Sequence, residues 1–236
     1  MTSDAPAGGE DQEARAAGSV GKLATKGVAT VFGRGIAVRA IGLAGTLITA
    51  RILGPVGLGT LAVGFSINVA ATALTDGGLG SGLIRRKQDP TREELGSVLG
   101  FQLSLGVALA LVVGAVGIPS GRIGQVTALM IWCVPAMSLR TPAVILSERQ
   151  ISYGRQARAD VAQAVVSNGL AVILLLLGAG VWGVAGATVL GALTCGLMTM
   201  LSIPGGRVRP VMSVAPIREV LAFGVQLQAT QIAGMA

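Results

Sequence analysis

Apolar residues fill the chain in runs of roughly twenty or more, parted by short segments rich in glycine, proline or basic residues. Crossing a hydrocarbon core about 30 Å thick takes about 20 mostly apolar helical residues. Six runs meet that need: residues 28–53, 58–84, 96–118, 124–146, 161–177 and 182–203. A seventh begins near Ile217 and meets the chain end at Ala236. The pattern predicts an all-α integral membrane protein, a bundle of six transmembrane helices plus the start of a seventh. Before the first run, residues 1–26 carry Asp4, Glu10, Asp11 and Glu13 among alanines and glycines and predict a disordered tail. That places a six-helix lobe over residues 27–204. A connector and the start of the next helix then occupy residues 205–236. The first apolar run starts too deep for a signal peptide and is followed by further runs.

Composition supports a lipid solvent. Of the 236 residues, 52% are hydrophobic and 12% charged, and the mean hydropathy is +0.72. A soluble domain of ordinary composition carries about 25% charged residues. Aromatics are scarce at 3%, while glycine contributes 36 residues. Small residues let helices approach closely where van der Waals contact holds them together. Cys133 and Cys195 both lie in apolar runs and read as small hydrophobes, not as a disulfide or metal ligands. The chain has no histidine, which removes histidine acid–base chemistry, histidine-bound zinc and histidine proton relays. No cofactor and no metal are expected.

The distribution of the 18 lysines and arginines sets an orientation. Arg15, Lys22 and Lys26 precede the first run. Arg85, Arg86, Lys87 and Arg92 lie in the second connector, Arg149, Arg155 and Arg158 in the fourth, and Arg207, Arg209 and Arg218 in the sixth. These 13 fall on one face, against Arg51 and Arg122 on the other. The positive-inside rule makes the tail and the even-numbered connectors cytoplasmic. The protein is thus expected in the cytoplasmic (inner) membrane, multi-pass, with its amino terminus inside.

Arg34, Arg39 and Arg140 remain, inside proposed spans. Counted from Val28, Arg39 is about 16 Å deep and Arg34 about 9 Å. A charge near mid-bilayer costs about 3 kcal/mol and by default marks a cavity or a pathway. Arg34 is within reach of the cytoplasmic interface by snorkelling. The two lie about 140° apart around a helix, so they form no single stripe. Arg140 stands between Pro135 and Pro142, which predict a bent or broken helix; it reads either as an interfacial arginine or as a further cation in the same cavity. Asp76 closes an apolar run and reads as a helix-end residue. The only close acidic group, Asp89, Glu93 and Glu94, sits beside Arg92 in a segment that reads as a solvated loop. The glycines at 77, 78, 80 and 82 lack the phosphate-loop spacing, so no nucleotide site is expected. Ser66, Asn68, Gln102, Ser104, Ser167 and Asn168 are read as interhelical hydrogen-bonding residues, and Gly96 with Gly100 as a close helix-packing pair. Three interior arginines and one edge carboxylate suit an anionic substrate.

Several motifs resemble those of the O-antigen and exopolysaccharide flippases, within the multidrug/oligosaccharidyl-lipid/polysaccharide exporter superfamily. The stretch around Arg51, Gly54, Pro55, Gly57 and Gly59 is similar to the loop after that family's first helix. Asp76, Gly78, Gly80 and Arg85 match the glycine-rich end of its second helix. The stretch from Glu148 to Tyr153, with Trp182 and Gly183, looks like its fourth connector and fifth helix. The resemblance implies one lobe of a two-lobed transporter with a cationic cavity. It also implies a polyprenyl-pyrophosphate-linked oligosaccharide as the cargo, flipped across the cytoplasmic membrane for lipopolysaccharide or exopolysaccharide biosynthesis. Arg34, Arg39 and Arg140 are the candidate substrate-binding residues. The expected partners are the bilayer, the lipid-linked anionic glycan and a second lobe or second chain; nucleic acid is not one. Members have twelve to fourteen helices and this chain stops in its seventh, so it is expected not to transport alone. Two alternatives stay open: a cation-coupled multidrug antiporter of the same superfamily, and a non-transporting fragment. An enzyme is not expected.

Overall fold

The computed structural model describes residues 8–77, 83, 89–150 and 153–211. Among them the chain is helical with no strand. The elements are α1 (Gly8–Asp76), α2 (Arg92–Gly117), a 3-10 turn (Ile118–Ser120), α3 (Gly121–Met130), α4 (Cys133–Ser138), α5 (Thr141–Arg149), α6 (Tyr153–Leu176) and α7 (Gly180–Ser202). Four stretches are long and apolar enough to cross a membrane: Gly35–Asp76, Arg92–Ser138, Gly154–Leu176 and Gly180–Ser202. The start of a seventh helix lies outside the described residues. Helix α1 already runs through residues 8–26, where composition predicts a disordered tail; Ala14, Ala16 and Ala17 there are strong helix formers.

Local chemistry explains the breaks. Gly54 has φ +68°, a left-handed conformation that favours glycine, and Pro55 opens the following arm with a preset helical φ. A Cβ on Gly57 would lie 2.7 Å from the Leu53 side chain, so the motif glycine there makes room for the turn. Residues 45–49 and 58–65 line one cavity, which requires the two arms to fold back side by side. Glu94 and Thr91 form a capping box that starts α2, with Glu93 in the same first turn. At the far end of α2, Gly117 and Gly124 touch backbone to backbone across the 3-10 turn, and Gly106 faces Pro135 further down. Helices α6 and α7 pair antiparallel in the same way, Gly183 against Leu174 and Gly191 against Ser167.

The run expected as one span over residues 124–146 is three short helices. Val134 N donates to Ile131 O at 3.0 Å, a tight turn just before Pro135. That leaves Met130 O without its usual i+4 donor, and Asn68 Nδ2 supplies one from α1 at 2.8 Å. Asn68 and Gln102 thus bond between helices, as expected. Ser66, Ser104 and Asn168 instead bond carbonyls one turn back in their own helices. Gly96 and Gly100 pack against extended chain, not against a helix. Val211 N donates to Gly96 O at 3.0 Å, and a Cβ on Gly100 would meet Val211 O at 2.5 Å.

The connectors sort to two ends. Arg149 pairs with Asp89 at 2.9 Å and donates to Leu83 O at 3.0 Å, joining the fourth connector to the second. Residues 209–211 lie along the start of α2, so the sixth joins them. At the opposite end Arg122 lies near Gly180, and Leu53, just before the Gly54 turn, packs against the apolar core. Toward this end sits a core of Leu61, Val126, Met130, Leu175, Val181 and Val184. Leu43, Leu47, Val69, Leu111 and Leu176 face outward, each more than 60% exposed. A surface so apolar belongs in lipid, where it carries no hydration penalty.

Candidate functional site

Arg39 lies fifteen residues before Gly54, about 22 Å along the α1 axis from that turn. Gly35 and Gly42, one turn to either side of Arg39, leave its helix face low. A cavity of about 440 Å³ opens there between α1 and α6. Arg39 and Arg140 both line it, together with Asp160, Gln163, Ser167 and Asn168. Arg39 is exposed and makes no ion pair among the described residues.

Arg140 reaches this position because the helix breaks at Leu139 and Arg140, and Pro142 then starts α5. Its Nη1 lies 3.1 Å from Asp160 Oδ1 and 3.5 Å from Cys195 Sγ. The Cys195 thiol in turn faces Asp160 Oδ1 at 3.6 Å. The pair is largely covered, with side-chain exposures of 29% and 18%. A guanidinium held this way has its orientation fixed while keeping free N–H donors for a second anion. Cys133 and Cys195 are both buried and unpaired; Cys195 is more than an inert hydrophobe, because it touches the ion pair.

Asp160 is the residue that sequence reasoning missed. Ending the fourth connector at Asp160 put it in a loop, whereas α6 starts at Tyr153 and carries it into the bundle. The signal was present: Asp160, Gln163 and Ser167 recur at helical spacing, a polar stripe through a stretch that is otherwise apolar between Arg158 and Asn168.

The other candidates separate. Arg51 is exposed near the Gly54 turn, where Gly54, Pro55 and Gly57 shape the chain reversal. Asp76 ends α1 and accepts from Gln102 Nε2 at 3.3 Å, at a second cavity of about 310 Å³ that Arg140 also lines. Asp89, Glu93 and Glu94 are taken up by the Arg149 pair and the cap of α2. Gly78, Gly80 and Arg85 lie outside the described residues, as does the side chain of Arg34, whose backbone belongs to α1.

The match to a family model covers four-fifths of this molecule. A family described as polysaccharide biosynthesis protein matches residues 48–235, a stretch that includes Gly54, Asp76, Arg140 and Asp160 and begins after Arg39. No curated protein and no solved structure matches the chain. With four stretches long and apolar enough to cross a membrane, and with the match running from the glycine-proline turn to residue 235, the chain belongs to the polysaccharide biosynthesis protein family.

Proposed function

We propose that this bundle translocates a polyprenyl-pyrophosphate-linked oligosaccharide across the cytoplasmic membrane, acting as one lobe of a two-lobed transporter and not as an enzyme. The observation that carries the reading is the convergence of Arg39 and Arg140 on one cavity beside the polar stripe of α6. Two guanidiniums offer paired N–H donors that fit diphosphate oxygens, and in a low-dielectric surround their attraction for it is strong. Gln163, Ser167 and Asn168 supply donors and acceptors for sugar hydroxyls. The outward apolar faces are compatible with a polyprenyl chain remaining in lipid while its head group crosses. Deleting the gene should halt surface glycan and leave the lipid-linked precursor on the cytoplasmic leaflet, measured by treating intact spheroplasts with a glycosidase and then extracting the lipid, whose glycan should be protected. Undiminished surface glycan with no precursor accumulation would sink the reading.

The same proposal has six crossings in the described bundle. Each of the two long stretches, Gly35–Asp76 and Arg92–Ser138, counts as two, folded at Gly54 and at Ile118–Ser120. The basic connectors then face the cytoplasm. In a version lacking Cys133 and Cys195, single cysteines at Arg86, Arg155 and Arg207 should resist an impermeant maleimide in intact cells, and a cysteine at Arg122 should react. Labelling at any of the first three refutes the topology.

A further inference from the structure

We propose that the cavity of about 430 Å³ between the two arms of α1 is a subsite for an uncharged sugar unit and excludes acidic sugars. The inference rests on the flippase reading and extends its anion cavity, because Asn168 lines both cavities. Thr46 follows Arg39 by seven residues, about 10 Å along the α1 axis, so one head group can hold its diphosphate at Arg39 and its sugar at Thr46. Gly45 sits between the two. A Cβ there would overlap the Asn168 amide oxygen, so glycine lets α6 bring Asn168 against α1. One amide proton of Asn168 goes to Ala164 O at 2.8 Å, which leaves the second N–H for a ligand.

The hydroxyls mark the ligand class. Thr60, Ser66, Thr72 and Thr127 each give their proton to a carbonyl one turn back in the helix. Thr46 and Thr49, which line the cavity, make no hydrogen bond among the described residues. Thr49 is 8% exposed, so its hydroxyl is held largely out of water with donor and acceptor both unspent. A ligand hydroxyl there removes the cost of leaving that group unpaired. Phe65 adds a flat apolar ring, and Leu58 and Val184 continue the apolar lining. Free hydroxyls beside an aromatic face match a pyranose, which carries hydroxyls around its rim and C–H groups on its face. No charged side chain among the described residues lines the cavity. A carboxylate brought in from water would find no cation, and its desolvation would go uncompensated. A uronic acid is therefore rejected, and the diphosphate stays with Arg39 and Arg140.

The test is calorimetric titration of the purified 236-residue chain, in a detergent without sugar, with farnesyl diphosphate, its glucosyl form and its glucuronosyl form. The two sugars differ only at C6, a hydroxymethyl group against a carboxylate. The glucosyl form is expected to bind about tenfold tighter than farnesyl diphosphate, the gain from hydrogen bonds in the subsite, and the glucuronosyl form no tighter. Thr49→Val, which keeps the shape, and Phe65→Ala should each erase most of that gain. Thr49→Ser, which keeps the hydroxyl, should retain it. Affinity for farnesyl diphosphate itself should stay parental in all three variants, and that retained affinity reports a folded anion cavity. A parent that binds farnesyl diphosphate but binds the glucosyl form no tighter overturns the subsite and leaves the anion cavity standing. An undiminished gain in both Thr49→Val and Phe65→Ala overturns its placement between the arms of α1. A glucuronosyl form bound as tightly as the glucosyl form overturns the exclusion of acidic sugars. A parent that binds none of the three ligands overturns the flippase reading, and the subsite with it.

Discussion

Replacing Arg39 with alanine is expected to cut glycan export by at least about tenfold while the protein inserts and accumulates normally. Insertion should not suffer, because the change removes a charge from an apolar span, where a charge is costly. Folding should not suffer either: Arg39 makes no ion pair among the described residues and faces a cavity, so no neighbour is orphaned. What is lost is one guanidinium on the anion. A charge-assisted hydrogen bond contributes about 1.5–3 kcal/mol, which is about tenfold to a hundredfold in a binding or rate constant. Arg39→Lys should keep part of the export, since the charge remains and the two-pronged fork does not. The measurement is surface glycan per membrane-embedded copy, in cells lacking the chromosomal gene and expressing the variant from the complete gene. Parental export by Arg39→Ala at equal abundance would remove Arg39 from the cationic cavity mechanism.

Arg39 was legible in the sequence because a lone charge in an apolar run breaks a pattern that is otherwise continuous. Its depth was not. Counting from Val28 assumed a helix that starts where hydropathy rises, whereas α1 starts at Gly8, and the informative reference is the Gly54 turn. The turn itself was visible as Gly54, Pro55 and Gly57, and each has a steric reason there. The breaks beside Arg140 were announced by Pro135 and Pro142, although three helices in place of one depend on which carbonyls find new donors, and Asn68 is too distant in sequence to be paired with Met130 by inspection. Gly96 and Gly100 show a second kind of limit. A glycine pair on a helix says that something comes close, and only the folded chain says that the visitor is extended backbone at Arg209 and Val211. The division of charge between connectors was the most readable feature, since it is counted rather than packed. The segments it groups meet in the fold: Arg149 contacts Asp89 and Leu83, and Val211 lies against Gly96 at the start of α2.

Asp160→Ala is expected to destabilise the bundle by about 2 kcal/mol, below the 3–5 kcal/mol typical of breaking a fully buried pair because both side chains keep some exposure. The cost arises from what is left behind. Arg140 cannot shed its proton, so without Asp160 its charge stays beside Cys195 with no carboxylate on that side. The reverse change is milder, because Asp160 keeps a further interaction when Arg140 is removed. Arg140→Met should therefore cost less than Asp160→Ala, and the double variant Arg140→Met, Asp160→Leu should recover most of the loss, since two apolar groups need no pairing. Thermal unfolding of the detergent-solubilised proteins measures all three. Export separates stability from function: the double variant should fold nearly as the parent does and still fail to export, because its cavity retains Arg39 alone. If Asp160→Ala instead melts with the parent, the ion pair contributes nothing to holding α6 against the α4–α5 break. Arg140 would then be held by the helix break at Pro142 alone.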